Sequence, residues 1–250
     1  MSSVIVTCED NLGKITLNNP EIHNALKKND IEIIRSALSN FKYQKVGAIL
    51  ITGKGNSFCS GLYLDEFDYK SWSKNPITQI CEDIENCQPP VICALNGGAY
   101  GGAVEIALSC DFRIANDHLS LMVPASDLGI HYEPMGLKRA LNILGPSISR
   151  RLFLLGERIS FEDILRTDFV DFWVAEDETV MGEGEKIANS LSSKAPLAVA
   201  GMKRTIIEIL NGSLEIKSAK KRINECFKSL DHQEALSARR ERRPAKFKGG

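Results

Sequence analysis

The 250-residue chain contains no uninterrupted apolar run approaching the ~18–20 residues of a membrane span. Its opening residues, MSSVIVTCEDN, have neither the basic patch nor the apolar stretch of a signal peptide. A protein of the cytoplasm, away from membranes, is the expectation. Histidine is scarce. The four residues at 23, 118, 131 and 232 are too scattered to read as a metal-ligand cluster, so no metal is expected. The seven cysteines (8, 59, 81, 87, 93, 110 and 226) form no C-x-x-C pair and several lie in apolar runs. They are expected to be reduced, mostly buried thiols. A phosphate-binding P-loop is missing, because Gly53-Lys54 runs into Gly55, and neither glycine turn has the G-x-G-x-x-G spacing. The G-x-S-x-G elbow that would favour a serine hydrolase built on Ser57 or Ser60 is also absent. A net charge of −1 argues against a nucleic-acid binder. There is no internal repeat and no low-complexity linker.

The charge that is present is uneven. From Val199 onward there are thirteen Lys and Arg against six Asp and Glu. This basic end suits either an anionic ligand such as a phosphate or a plain solvated helix surface. The first half alternates strand and helix signals. Val4–Cys8 and Lys14–Leu17 form a hairpin pattern, and Lys27–Phe41 has helical apolar spacing. Val46–Thr52 and Val91–Leu95 are short apolar runs of the kind buried on both faces of a parallel sheet. Helices at Ile77–Cys87 and Gly102–Cys110 and a strand at Phe112–Ala115 complete the rhythm. Beyond Met135 the pattern is helical, over 136–144, 147–155, 160–166, 178–192, 196–211 and 213–229. The fold class is therefore α/β with a helical C-terminal region.

Two glycine-rich turns follow the two buried strands. The second, Asn96-Gly97-Gly98-Ala99-Tyr100-Gly101-Gly102-Ala103-Val104-Glu105, opens onto an apolar helix. A strand–turn–helix junction leaves free backbone N–H groups and a partial positive charge in front of it. Glu105, one turn into that helix, has two readings. It is either a carboxylate set beside a developing oxyanion or a capping-box glutamate reaching back to the first free amide.

Five segments in order resemble the crotonase superfamily, the enoyl-CoA hydratase/isomerase family. They are Asn19-Pro20-Glu21-Ile22-His23-Asn24-Ala25-Leu26, Phe58-Cys59-Ser60-Gly61-Leu62-Tyr63-Leu64, the turn ending in Glu105, Cys110-Asp111-Phe112-Arg113-Ile114-Ala115, and Glu241-Arg242-Arg243-Pro244-Ala245-Lys246-Phe247. The resemblance spans nearly the whole chain. It implies a crotonase-like spiral of ββα repeats over residues 1–195, then a helical trimerisation region over 196–250 that also contacts coenzyme A. It implies an acyl-CoA thioester substrate, with coenzyme A as part of the substrate and no separate cofactor. A homotrimer, or a hexamer built as a dimer of trimers, is expected.

The resemblance also assigns roles. The Leu62 and Gly102 amides would hold the thioester oxygen, with Glu105 and Glu133 as proton-transfer groups. His23, Ala25, Ser60, Gly61, Gly101, Pro124 and Tyr132 would contact the substrate. Arg242, Arg243, Lys246 and Lys248 would meet the phosphates of coenzyme A. Family hydratases carry a second glutamate just after a proline. Here Pro124 is followed by Ala125, and a methyl group cannot position water or exchange a proton. Asp127, two residues on, would face the other way in an extended segment. Glu133 occupies the place where family isomerases carry an acid, which tilts the expectation toward double-bond isomerisation over hydration. His131 is a further candidate proton donor, and Tyr63, Phe67, Tyr69 and Trp72 are candidate walls of an acyl pocket. The alternatives are an acyl-CoA-binding protein with little catalysis, and a crotonase-fold decarboxylase or thioesterase.

Overall fold

The computed structural model of the chain describes residues 2–44, 46–67, 74–175 and 179–249. An antiparallel hairpin, β1 (Val4–Glu9) and β2 (Leu12–Leu17), leads into α1 (Lys28–Tyr43). Three ββα units follow: β3 (Ala48–Gly53), β4 (Ser57–Cys59), α2 (Pro76–Asn86); β5 (Val91–Leu95), β6 (Gly98–Tyr100), α3 (Gly102–Ser109); and β7 (Phe112–Ala115), β8 (Leu121–Met122), α4 (Pro134–Leu154). The first strand of each unit joins a six-stranded sheet of order β1-β2-β3-β5-β7-β9, where β9 is Phe172–Trp173. The second strand joins a three-stranded parallel sheet, β4-β6-β8. Each turn of the chain thus advances one strand in both sheets, which is the spiral of ββα repeats that the family resemblance implies.

Burial of both faces explains the apolar runs. Ile49, Ile51, Val91, Cys93 and Leu95 point into the core beneath α1, α2 and α3. The alternate residues Ala48, Leu50, Ile92 and Ala94 pack with Val180 and Ala188 of α6 (Val180–Ser192). Strands covered on two sides need no polar face. Four cysteines, at 59, 81, 93 and 110, are buried, and all seven are free thiols.

The C-terminal half adds α5 (Phe161–Ile164), α6, α7 (Pro196–Asn211), α8 (Ile216–Lys228) and α9 (Leu230–Glu241). The helical break anticipated between 144 and 147 is real: Gly145 has φ 71° and Pro146 follows it. Helix α9 is an addition to the sequence reading. Its sequence, LDHQEALSARRE, has too weak an apolar stripe to announce itself, and it starts where the Ser229 side chain accepts a hydrogen bond from His232 N–H. The short strands β4, β6, β8 and β9 also went unanticipated, being two or three residues long. Ile206, Ile209, Leu210, Ile223, Phe227 and Leu230 stand exposed on α7, α8 and α9. No helix among the described residues is long and apolar enough to cross a membrane.

Candidate active site

The site forms where the ends of β4 and β6 meet. After β4 the chain passes through Gly61 at φ +86°. Leu26 N–H donates to Gly61 O at 2.7 Å, and Tyr63 N–H donates to Leu26 O at 2.9 Å. These two bonds flank Leu62 and leave its own N–H without a partner among the described residues. Gly102, first residue of α3, has an equally unpartnered N–H. The two loops touch: a methyl placed on Gly61 would come within 2.9 Å of Gly102 N and 3.0 Å of Tyr100 O. Only glycine allows both the backbone angle and the approach. Two side-chain amides, buried Asn24 and half-buried Asn96, brace the first loop. Asn24 Nδ2 donates to the carbonyls of Lys54, Ser57 and Phe58, and Asn96 Nδ2 donates to those of Gly55 and Ser57.

Glu105 does not cap its own helix, so the capping-box reading is set aside. Its carboxylate accepts a 2.8 Å hydrogen bond from Arg139 Nη1 of α4. Arg139 in turn forks onto Glu85 of α2, with Nε donating at 2.7 Å and Nη2 at 3.0 Å. Glu105 and Arg139 are 2% and 6% exposed. A methyl on Gly136 would stand 2.8 Å from Glu105 Oε2, so this glycine gives the carboxylate room against the first turn of α4. Tyr132 stands beside Glu105, and its hydroxyl donates to Gly101 O at 3.4 Å. Its ring packs on Phe153 at 4.8 Å. Burial pushes the Glu105 carboxyl up to about 7, against the opposing pull of the Arg139 charge and the Tyr132 hydroxyl. Burial and the neighbouring Glu105 charge raise the Tyr132 phenol well above its ordinary range.

These groups open onto one cavity of about 360 Å³. Of the residues expected to act or to touch substrate, Ser60, Leu62, Gly101, Gly102, Glu105, Pro124, Tyr132 and Glu133 line it. Glu133 is half-buried and is the cap residue of α4. His131 lines the cavity too, with Nδ1 donating to Tyr132 O at 2.8 Å. Gly61 packs behind the two amides. His23 and Ala25 lie outside the lining. His23 is exposed at φ 52°, with Nδ1 3.0 Å from Ser57 Oγ, and Ala25 is buried one residue before Leu26. Ser60 Oγ donates to Ile22 O at 3.3 Å, which ties the segment carrying His23 and Ala25 to a residue that lines the cavity.

Ala125 contributes its methyl to the wall. Asp127 is exposed and turned toward Gly156, where its carboxylate would crowd a methyl at 2.7 Å; it brings no second acid into the cavity. The aromatic walls are corrected. Tyr63 sits under Lys27 Nζ at 5.2 Å and Phe67 is in the core, and neither lines the cavity. Tyr69 and Trp72 lie outside the described residues. The apolar lining is mainly aliphatic, from Leu62, Leu64, Ile77, Val123, Leu128 and Ile130. In the basic tail, Arg243 is engaged within the chain by Glu234 and Glu241. No group of three or more His, Cys, Asp or Glu side chains suited to a metal occurs among the described residues.

The sequence profile described as enoyl-CoA hydratase/isomerase matches residues 7–250. The chain belongs to the enoyl-CoA hydratase/isomerase family. A short-chain-enoyl-CoA hydratase of Clostridium acetobutylicum is 28% identical over 252 residues, covering 97% of this chain and 96% of the relative. A crotonyl-CoA hydratase of Syntrophomonas wolfei is 29% identical over 255 residues, covering 98% and 97%. The crystal structure of an enoyl-CoA hydratase from Bacillus anthracis superimposes with a TM-score of 0.88 at 26% identity, with both chains fully covered. Within this enoyl-CoA hydratase/isomerase fold, the residues the sequence reading missed are Arg139 and Glu85. A signal did exist. Arg139 stands beside Ala140 in the apolar stripe of α4 that Leu144 continues, where an unpaired charge is not tolerated.

Proposed function

We propose that this enzyme moves a proton on an enoyl-CoA thioester, shifting a double bond between carbons 2 and 3 and carbons 3 and 4. What supports the reading is one cavity holding two free backbone amides and two carboxylates, with a methyl at Ala125 where a hydratase would carry the second of its two glutamates. The thioester oxygen would accept from the Leu62 and Gly102 amides. Each such donor, aimed at charge that develops in the transition state, is typically worth ~2.7–4 kcal/mol. Glu133 would take the proton from carbon 2 while the electron pair moves onto the thioester oxygen. Glu105, which holds its proton to about pH 7, would return one at carbon 4. The two groups then reset by exchange with solvent. A bell-shaped pH dependence is expected, its upper inflection near 7.

The deciding experiment is incubation with trans-2- and trans-3-enoyl-CoA of several chain lengths, followed by chromatography and mass spectrometry. An isobaric product with shifted retention supports the reading. A product heavier by one water would mean that hydration proceeds despite Ala125. Bound but unchanged ester would favour an acyl-CoA-binding protein. Glu133→Gln should lower turnover by at least ~10²-fold, the usual scale of general acid–base help; a wild-type rate would remove Glu133 from the mechanism.

Assembly is part of the proposal. Ile206, Ile209, Leu210, Ile223, Phe227 and Leu230 are exposed on three consecutive helices, α7, α8 and α9, as apolar side chains of an interaction surface would be. A homotrimer or dimer of trimers through these helices would bury them, and sedimentation equilibrium would read the stoichiometry. A cytoplasmic location is in keeping with the free thiols.

A further inference from the structure

We propose that Arg139, anchored by Glu85, is a positioning residue for the reaction: it fixes where the Glu105 carboxylate points and in which charge state it meets the substrate. The inference rests on the reading of Glu105 as a proton-transfer group. Three charges in a row, half-buried Glu85 and buried Arg139 and Glu105, are joined by three hydrogen bonds of 2.7–3.0 Å. Such a chain is costly to bury and is a poor device for stability alone, because desolvating ions offsets most of their attraction. Its geometry is specific. The guanidinium spends Nε and Nη2 on Glu85, which locks its plane, and offers Nη1 to a single oxygen of Glu105. The other oxygen remains beside Gly136.

The groups that face Glu105 come from every element packed around it. They are Arg139 on α4, Tyr132 and Glu133 just before it, and Cys81 and Glu85 on α2. Arg139 is the sole cation among these. It favours the ionised carboxylate, while Glu85 and Glu133 oppose it. Glu85 therefore has two opposed effects: it holds the arginine and also tempers the arginine's influence on Glu105.

This duality gives opposite predictions for the two partners. Glutamate labelled with ¹³C at the side-chain carboxyl would be followed by NMR from pH 4 to 10, the Glu105 signal assigned by its loss in Glu105→Gln. In Arg139→Met the midpoint should rise by about 1–3 pH units, the usual influence of one adjacent cation. In Glu85→Gln it should fall. Arg139→Lys, which keeps the charge, should stay closer to wild type than Arg139→Met does. The upper inflection of the pH–rate profile should follow the same order. Midpoints that stay put, or that move in the same direction in both variants, would overturn the proposal. If Arg139→Met does not fold, the sign of the Glu85→Gln shift decides alone. Opposite shifts in a protein that turns over no enoyl-CoA would uphold the clamp and defeat the functional reading. An active enzyme with unmoved midpoints would do the reverse.

Discussion

Glu105→Gln should cut turnover by about 10²–10⁴-fold, the range for loss of a general acid or base, and at the same time make the protein more stable above neutral pH. The two effects share one cause. Glu105 is 2% exposed, and burial lifts its carboxyl from 4.5 to about 7. At 1.36 kcal/mol per unit, that rise corresponds to roughly 3 kcal/mol. The sign follows from proton counting. Below about pH 4.5 the group is protonated in both folded and unfolded chains and contributes no pH dependence. Between 4.5 and 7 the unfolded chain gives up its proton first, so folding stability falls as pH rises. Above 7 the whole penalty is present. Glutamine resembles the protonated acid and can still accept from Arg139, so the variant keeps its low-pH stability throughout. Chemical denaturation of both proteins at pH 5 and pH 8.5 checks this. The variant should lead by less than about 1 kcal/mol at pH 5 and by up to roughly 3 kcal/mol at pH 8.5. A variant that is weaker at pH 8.5 would mean that the Arg139 attraction outweighs the cost of burying the charge. Stability gained where activity is lost is the usual mark of a site built for chemistry.

The backbone of this site was legible because glycine and burial leave strong traces. Gly102 opens α3 beyond the apolar strand β5 and its glycine turn, and that strand–turn–helix order places a free amide at the helix start, whereas the Leu62 amide was indicated by the family resemblance of its loop. The same logic marked the break at Gly145-Pro146 and the buried strands β3 and β5. What stayed hidden depends on contacts between distant segments. Arg139 meets Glu105 from 34 positions away and Glu85 from 54, and no local period couples such residues. The fate of Glu105 was open for that reason: spacing allowed a cap, and only the arginine decided against it. Tyr63 and Phe67 misled because an aromatic after a binding loop packs wherever its own turn aims it, here at Lys27 and into the core. Helix α9 is polar on most sides, so its sequence carries almost no period to read.

Gly61→Ala should lower kcat by at least ~10²-fold with a far smaller change in KM, although it adds a single methyl group. Two constraints meet at this residue. Its φ of +86° is one that an L side chain rarely adopts, and a methyl would stand 2.9 Å from Gly102 N and 3.0 Å from Tyr100 O. Both contacts are backbone atoms, so no side chain can swing aside. To relieve them the loops must part, and the Leu62 and Gly102 amides separate with them. Displacing one such donor from a developing oxyanion typically costs ~2.7–4 kcal/mol, or about 10²–10³ in rate. Ground-state binding of the proposed acyl-CoA substrate would depend on other contacts, so the loss should fall mainly on kcat. Backbone strain alone would also reduce stability, by about 1–3 kcal/mol, and this has to be separated from the effect on catalysis. Gly212→Ala supplies the control. Gly212 has φ +67°, nothing within 4 Å of an added methyl, and a place at the end of α7 away from the cavity lining. It should lose comparable stability and keep its activity. Equal activity in the two alanine variants would mean that the amides do not act together on the thioester oxygen. A loss confined to Gly61→Ala, measured well below both melting temperatures, would tie turnover to the spacing of two backbone nitrogens.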